Sequence, residues 1–263
     1  MRHVLTLLAT MLALTGPAAA QDDPARLEML PGWRLSDGRH VAAFRILLQD
    51  GWKTYWRTPG DTGIPPSVDW SGSRNIGAVA LRWPAPEVFD TGGLRTIGYA
   101  QELILPFEAT PRRDGRDMVA SGVLDIGVCS DICVPMSIEF SIDLASQGAG
   151  DGRIRAALAA QPRAIGADEA GLRCRLDPIT DGLRVSAMLD LPGHRGLTAA
   201  IFEHADPGIW VSSAEVSAAS GRTLVQADMV PPAATPFALD RHDLRLTLLT
   251  RDGAFEIAGC PAG

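Results

Sequence analysis

Two cysteines, Cys129 and Cys133, enclose the tripeptide Ser130–Ile132 in a chain of 263 residues that contains four cysteines. In such a pair one thiolate can attack a partner's disulfide to form a mixed disulfide, and the second cysteine then resolves it. The flanking strand patterns place the pair at a hairpin tip, where opposed Cα atoms lie about 4.5–5.5 Å apart, within disulfide range. A disulfide closing so small a loop adds little stability, which favours reversible exchange. A passive clip on the hairpin is the alternative that the spacing leaves open.

The other two cysteines, Cys174 and Cys260, are far apart in the sequence. Four cysteines allow three pairings, and the spacing favours Cys129 with Cys133 and Cys174 with Cys260. A loop of the second size contributes about 4–5 kcal/mol in the chain-entropy model. We therefore predict a structural disulfide between Cys174 and Cys260, joining the first and last strands of the C-terminal region, rather than a second redox pair.

Sulfur ligands also make a metal site conceivable at the same hairpin. Cys129, Cys133 and Met136 form a small soft set that suits Cu(I), so copper binding is an alternative function. No paired carboxylates, GxSxG, HExxH or phosphate loop occurs, which argues against hydrolase and nucleotide chemistry, and we predict no cofactor. The histidines after the first segment are scattered and are predicted to lie at the surface: His40, His194, His204 and His242.

The start of the chain resembles a secretory signal peptide. A polar beginning precedes the apolar run Val4–Leu14, and Ala18–Ala20 provides a small-residue cleavage site. Cleavage after Ala20 would export the protein, most simply to a bacterial periplasm, where disulfides persist. The apolar run is too short to span a membrane and no later stretch approaches 18 apolar residues, so the mature protein is predicted not to be membrane-spanning.

Composition narrows the function classes further. Hydrophobic residues make up 46% and charged residues 21% of the chain, as in ordinary globular proteins. The net charge is −7 and no basic run occurs. Nucleic-acid binding is therefore not expected, because phosphate neutralisation needs clustered positive charge.

Short alternating segments define the elements that must position the cysteines. In Ser137–Leu144, for example, apolar Ile138 and Phe140 alternate with polar residues, which is typical of a strand with one buried face. Many such strands separated by turns indicate antiparallel sandwiches. The Pro- and Gly-rich segment Thr58–Pro66 is predicted to be an irregular, rigid crossover. The other predicted strands are Val41–Leu48, Trp52–Arg57, Ser67–Trp70, Ala78–Trp83, Glu102–Ala109, Met118–Val128, Leu172–Leu176, Leu183–Leu189, Leu197–Glu203, Glu215–Ala218, Thr223–Met229, Asp243–Thr250 and Ala254–Ala258.

A polar, Gly-rich break separates the strands into two groups. Asp151 is expected to cap a short helix from Gly152 to about Gln161, which Pro162 ends. We predict an all-β protein with two antiparallel sandwiches joined by this short helical linker. The predicted parts are a signal peptide at 1–20, a first sandwich at 21–147, a linker at 148–166 and a second sandwich at 167–263.

Four tryptophans in the first group of strands admit two interpretations. On alternating strands they are typical of a sandwich core, although a Trp-rich face could also bind a glycan or a protein. The second interpretation belongs to a third function class, a structural binding module with static disulfides. The four residues are Trp52, Trp56, Trp70 and Trp83.

Several motifs in a fixed order resemble one known family, the N-terminal periplasmic domain of the thiol:disulfide interchange protein DsbD, in the variant of ScsB-type proteins linked to copper tolerance. The resemblance covers roughly Trp33 to Leu144. The motifs that carry it are Gly51–Gly63, Pro65-Pro66, Asp69-Trp70, Trp83–Glu87, Gly98-Tyr99 and Val128–Pro135.

This resemblance implies an immunoglobulin-like sandwich that shuttles electrons. Cys129 and Cys133 match the redox pair, and Cys133 matches the cysteine that forms the mixed disulfide. The segment Leu94–Tyr99 matches the cap loop that shields the pair, with Ile97 or Tyr99 as the covering side chain. Arg95 lies where better-known members carry acidic residues, and the cysteine spacing here is shorter than theirs.

The resemblance also implies partners and a reaction class. Reducing equivalents would come from a membrane electron donor of the DsbD or CcdA type, expected to be a separate protein because no membrane domain follows in this chain. The acceptor would be a periplasmic thioredoxin-fold protein. The protein would then act as a component of a protein-disulfide reductase, with catalysis supplied by Cys129 and Cys133.

Overall fold

A computed structural model describes residues 23–91, 93–144, 150–190, 196–219 and 221–263. The predicted signal peptide, its cleavage site and His194 lie outside these ranges. None of the helices in the described ranges is long and apolar enough to cross a membrane.

The first half of the chain forms two facing antiparallel sheets. One sheet has the strand order β1–β2–β8–β5, and the other has the order β10–β9–β3–β7–β6, with β4 paired to β9. The strands are β1 (Ala25–Arg34), β2 (His40–Leu48), β3 (Lys53–Gly60), β4 (Ser67–Asp69), β5 (Ile76–Leu81), β6 (Glu87–Thr91), β7 (Leu94–Ala100), β8 (Glu102–Pro111), β9 (Met118–Cys129) and β10 (Cys133–Leu144).

The second half repeats the two-sheet arrangement. One sheet has the order β11–β19–β18–β14, and the other has the order β12–β13–β17–β15, with β16 paired to β17. A short 3-10 helix, Arg241–Asp243, precedes β18. The strands are β11 (Arg163–Ala164), β12 (Arg173–Ile179), β13 (Gly182–Leu189), β14 (Leu197–His204), β15 (Trp210–Val211), β16 (Glu215–Ala219), β17 (Arg222–Val230), β18 (Leu244–Thr250) and β19 (Gly253–Ala258).

Both halves are immunoglobulin-like sandwiches, so the predicted all-β fold is confirmed. A single helix, α1 (Gly152–Ala159), lies between them. The Asp151 carboxylate accepts a hydrogen bond from the Arg153 amide at 2.8 Å, which caps the helix as its sequence predicts. Ile154 is fully buried against the outer side of the first sheet, beside Leu30 and Val41.

An aromatic cluster fills the first core. The rings of Phe44, Phe107, Phe140 and Trp70 pack together, with Phe44 and Phe140 centroids 4.9 Å apart in an edge-to-face arrangement. The other three tryptophans also contribute to this core, since Trp56 and Trp83 are buried and Trp52 packs against the cluster. These contacts favour the core interpretation of the tryptophans over an exposed binding platform.

The two sandwiches pack against each other. Ala199, Ile201 and Leu249 of the second sandwich belong to the same buried cluster as the core of the first. The Ala85 amide also donates to the Ala160 carbonyl at 2.8 Å, which ties the first sandwich to the end of α1. The second sandwich is therefore in direct apolar contact with the first.

Some segments expected to be loops are strands. β1 and β6 were not among the predicted strands, and Leu94–Tyr99, expected to be a cap loop, forms most of β7. Pairing explains the last difference, because β7 is hydrogen-bonded to β6 on one side and to β3 on the other. β3 itself continues to Gly60, past the predicted end at Arg57.

His40 corrects the expectation that the scattered histidines lie at the surface. Its side chain is buried, and Nε2 lies 2.7 Å from the Pro31 carbonyl oxygen. Within the described residues its Nδ1 has no hydrogen-bond partner. Burial lowers the pKa of His40, because a charged imidazolium is poorly solvated there.

This burial predicts a loss of stability in mild acid. Below pH of about 6.5 the unfolded chain binds a proton at His40 that the folded protein resists, so the free energy of unfolding falls as the pH drops toward the lowered folded pKa. Urea unfolding at several pH values should show this slope, and His40→Gln should flatten it. An unchanged slope in His40→Gln would contradict the assignment.

Candidate active site

Cys129 and Cys133 lie directly opposite each other at the end of the β9–β10 hairpin. The register pairs them in the same ladder that ends at Leu144 and Met118. A three-residue tip joins the strands, and the Ser130 amide donates to the Ile132 carbonyl at 2.9 Å. The structure joins the two cysteines in a disulfide, with Cα atoms 4.1 Å apart.

The two sulfur-bearing residues differ in exposure. Cys129 is 6% exposed, because β3 flanks it on the side away from β10. Cys133 is exposed, as are the tip residues, and Ile132 presents a large apolar side chain to solvent. An incoming thiolate therefore attacks the Cys133 sulfur first, and Cys129 is the leaving group of this exchange.

A tyrosine contacts the exposed cysteine. The hydroxyl oxygen of Tyr55 on β3 lies 3.7 Å from the Cys133 sulfur. A disulfide sulfur carries no hydrogen, so the phenol is the donor in this state. Burial raises the pKa of Tyr55, which keeps the hydroxyl protonated and able to donate to a thiolate as well.

The chain's single lysine lies beside the buried cysteine. Lys53 is the cross-strand neighbour of Cys129 on β3, and its ammonium lies 4.6 Å from the centre of the Phe89 ring. Phe89 belongs to β6, which β7 separates from β3, so the ammonium is directed away from β9 and Cys129.

The Pro- and Gly-rich loop after β3 covers Tyr55. A Cβ added at Gly63 would lie 2.7 Å from the Tyr55 ring, so the loop passes directly over it. Ile64 packs just as closely on Gly127 of β9, where a Cβ would lie 2.7 Å from the Ile64 Cβ. Glycines at these two positions permit the close approach. We call residues 60–66 the cover loop.

The cover loop and Tyr55 were not identified as site features from the sequence. Two glycines in the sequence could have indicated these contacts. Gly63 lets the cover loop approach Tyr55, and Gly127 lets β9 approach Ile64.

Ile97 and Tyr99, the residues expected to shield the disulfide, lie on the other face of the sheet. Both are buried in the first core. Tyr99 is aligned with Thr54, which in turn is aligned with Val128, and all three face inward. The Tyr99 hydroxyl donates to the Pro84 carbonyl at 2.8 Å. Because neighbouring residues alternate between faces, the structure places neither side chain over the disulfide.

Met136 is also separated from the cysteines. It lies three positions after Cys133 on β10, which puts it on the opposite face, and its side chain packs against the core. The structure therefore does not bring Cys129, Cys133 and Met136 together as a three-sulfur copper site. Among the described residues no group of three or more His, Cys, Asp or Glu side chains is arranged to hold a metal ion.

Cys174 and Cys260 form a second disulfide of a different kind. It links β12 to the segment after β19, and so joins the two sheets of the second sandwich. The two residues are 1% and 2% exposed. The Arg241 guanidinium donates to both of their carbonyl oxygens at 3.1 Å, so the backbone around this disulfide is also fixed by hydrogen bonds.

Comparison with known proteins identifies the class of the first sandwich. Residues 26–144 match the family model of the N-terminal domain of the thiol:disulfide interchange protein DsbD, which confirms the resemblance drawn from the motifs. The match covers the first sandwich and none of the second. No curated protein gives a significant match to the chain.

A solved structure shares the whole two-sandwich architecture. The N-terminal periplasmic domain of ScsB from Proteus mirabilis superposes with a TM-score of 0.68 at 21% sequence identity. The alignment covers 95% of this chain and 96% of that one, so both sandwiches have counterparts.

Proposed function

We propose that the protein exchanges electrons with thioredoxin-fold partners through Cys129 and Cys133. The observation that carries the proposal is the accessible disulfide at the hairpin tip, with an exposed Cys133 and a shielded Cys129, in a domain of the DsbD N-terminal family. The likeness to a periplasmic domain and the sequence pattern of residues 1–20 support a periplasmic location.

The reaction proceeds in two balanced steps. In the reduced protein, the Cys133 thiolate attacks the acceptor's disulfide, forming a mixed disulfide and releasing one acceptor thiolate. Cys129 then attacks the Cys133 sulfur, releasing the second acceptor thiolate and leaving the hairpin disulfide oxidised. Two electrons pass to the acceptor, and the released thiolates take up protons from solvent.

The residues around the pair support each step. Tyr55 donates a hydrogen bond toward Cys133, where negative charge is held before the first attack. The β9–β10 register holds Cys129 directly opposite Cys133, in position for the second attack. A membrane protein of the DsbD or CcdA type is proposed as the donor that reduces the pair again.

A trapping experiment tests the proposal. Reduced Cys129→Ala protein mixed with an oxidised thioredoxin-fold protein is expected to accumulate a covalent adduct, because the resolving thiol is missing. Non-reducing electrophoresis and mass spectrometry of the linked peptides measure it. Cys133→Ala is the matched control and should give little adduct, since only the shielded cysteine remains. Failure to trap any periplasmic thioredoxin-fold protein, or equal adducts from both variants, would contradict the proposal.

A further inference from the structure

A charged network joins β3 to the second sandwich just beyond Tyr55. The Arg57 guanidinium donates to both Glu203 carboxylate oxygens, at 2.7 and 2.9 Å, and to Glu256 at 2.6 Å. The Thr58 hydroxyl also donates to Glu203, at 3.0 Å. The Glu203 side chain is only 13% exposed. These hydrogen bonds, rather than water, therefore compensate for its buried negative charge.

β3 is irregular between the residue that touches the disulfide and Arg57. The register between β3 and β7 shifts after Tyr55, so the alternation of faces does not carry from Tyr55 to Arg57. The Arg57 guanidinium lies 4.3 Å from the centre of the buried Trp56 ring. The charged network therefore fixes the end of β3 that leads into the cover loop.

A second set of contacts fixes the start of the cover loop. Asp61 accepts hydrogen bonds from the Ser213 hydroxyl of the second sandwich and from the Arg95 amide of β7. The Asp61 amide donates to the Arg95 carbonyl at 2.9 Å. Two residues later, Gly63 passes over the Tyr55 ring. The cover loop is thus anchored to the second sandwich at Asp61, just before it covers Tyr55 at Gly63.

We infer that the second sandwich is a positioning module for the redox site, which presses the cover loop onto Tyr55 through Glu203, Glu256 and Ser213 and so holds the Tyr55 hydroxyl against one side of the otherwise exposed Cys133 sulfur. This inference rests on the proposed function for its biological meaning. Arg57 and Glu203 are positioning residues in this scheme, since neither touches the sulfurs.

The test compares two matched carboxylates. Glu203→Gln keeps the side-chain shape but removes the charge that faces Arg57. Glu108→Gln is the control, because Glu108 is similarly buried, at 15% exposed, and pairs with Arg39 and Arg82 away from the cover loop. Both variants should lose comparable stability in urea, so stability alone does not separate a positioning role from a structural one.

The decisive measurement is the rate at which dithiothreitol reduces Cys129–Cys133 in the folded oxidised protein. Glu203→Gln is expected to raise this rate about threefold to tenfold, since a weakened anchor lets the cover loop open more often and Tyr55 then leaves its side of the Cys133 sulfur open to attack. Glu108→Gln should leave the rate unchanged. Equal rates in the two variants would overturn the inference.

Ser213→Ala is a second variant, and this substitution leaves no buried charged group without a partner. It removes the hydroxyl that binds Asp61 and is expected to raise the reduction rate in the same direction, by a smaller factor. A rate equal to that of the unmodified protein would overturn the inference even if Glu203→Gln failed to fold. Because dithiothreitol needs no protein partner, failure here is distinct from failure of the trapping experiment.

Discussion

Brief treatment with dithiothreitol is expected to open Cys129–Cys133 at least about a hundredfold faster than Cys174–Cys260, because exchange requires access to a sulfur. Cys133 is exposed at the hairpin tip, whereas Cys174 and Cys260 are almost fully buried. A reductant must wait for the second sandwich to open before it reaches the latter pair. Timed quenching with an alkylating reagent, followed by peptide mass spectrometry, measures both rates in one sample.

Denaturation supplies the control for this prediction. In concentrated guanidinium chloride the two disulfides should be reduced at similar rates, since folding no longer protects either. Similar rates in the native protein would instead indicate two equally static disulfides, and the protein would then fit a binding module better than an electron carrier.

Removing the buried disulfide is expected to have the largest effect on stability. Replacing both Cys174 and Cys260 by Ala should lower the free energy of unfolding by about 4–5 kcal/mol in the chain-entropy model. The cysteines are 86 positions apart, so the disulfide restricts much of the second sandwich in the unfolded chain. Urea unfolding followed by circular dichroism provides the measurement.

The hairpin pair is the matched control for that loss. Replacing Cys129 and Cys133 together by Ala removes a disulfide that closes a loop with a sequence separation of 4, for which the same model gives about 2 kcal/mol. The Cys174/Cys260 variant should also keep a Cys129–Cys133 disulfide that dithiothreitol reduces rapidly. A larger loss of stability from the hairpin variant would contradict the division into a redox pair and a structural pair.

The sequence was sufficient for features that depend on local pattern. The alternation in Ser137–Leu144 predicted a strand with one buried face, and β10 includes all of it. The hairpin tip followed from two such strands meeting at the cysteines. The helix N-terminus was also predictable, since capping depends on Asp151 and the residues just after it.

Features that depend on distant contacts were not predictable in the same way. β7 is a strand because β6 and β3 lie on either side of it, although its own sequence contains a glycine and no clear alternation. Its register then decides that Tyr99 faces the core. Arg57 meets Glu203 across 146 positions, and no local pattern indicates which of many carboxylates will pair with an arginine.

The ladder between β9 and β10 has a consequence for repeated use of the site. Cys129 and Cys133 are one aligned pair at the end of an unbroken antiparallel register that continues to Met118 and Leu144. Severing the sulfur bridge therefore removes a link between two atoms that the backbone already keeps adjacent. The fully reduced molecule should keep the same frame as the oxidised one, and each turnover can begin without any refolding of the carrier.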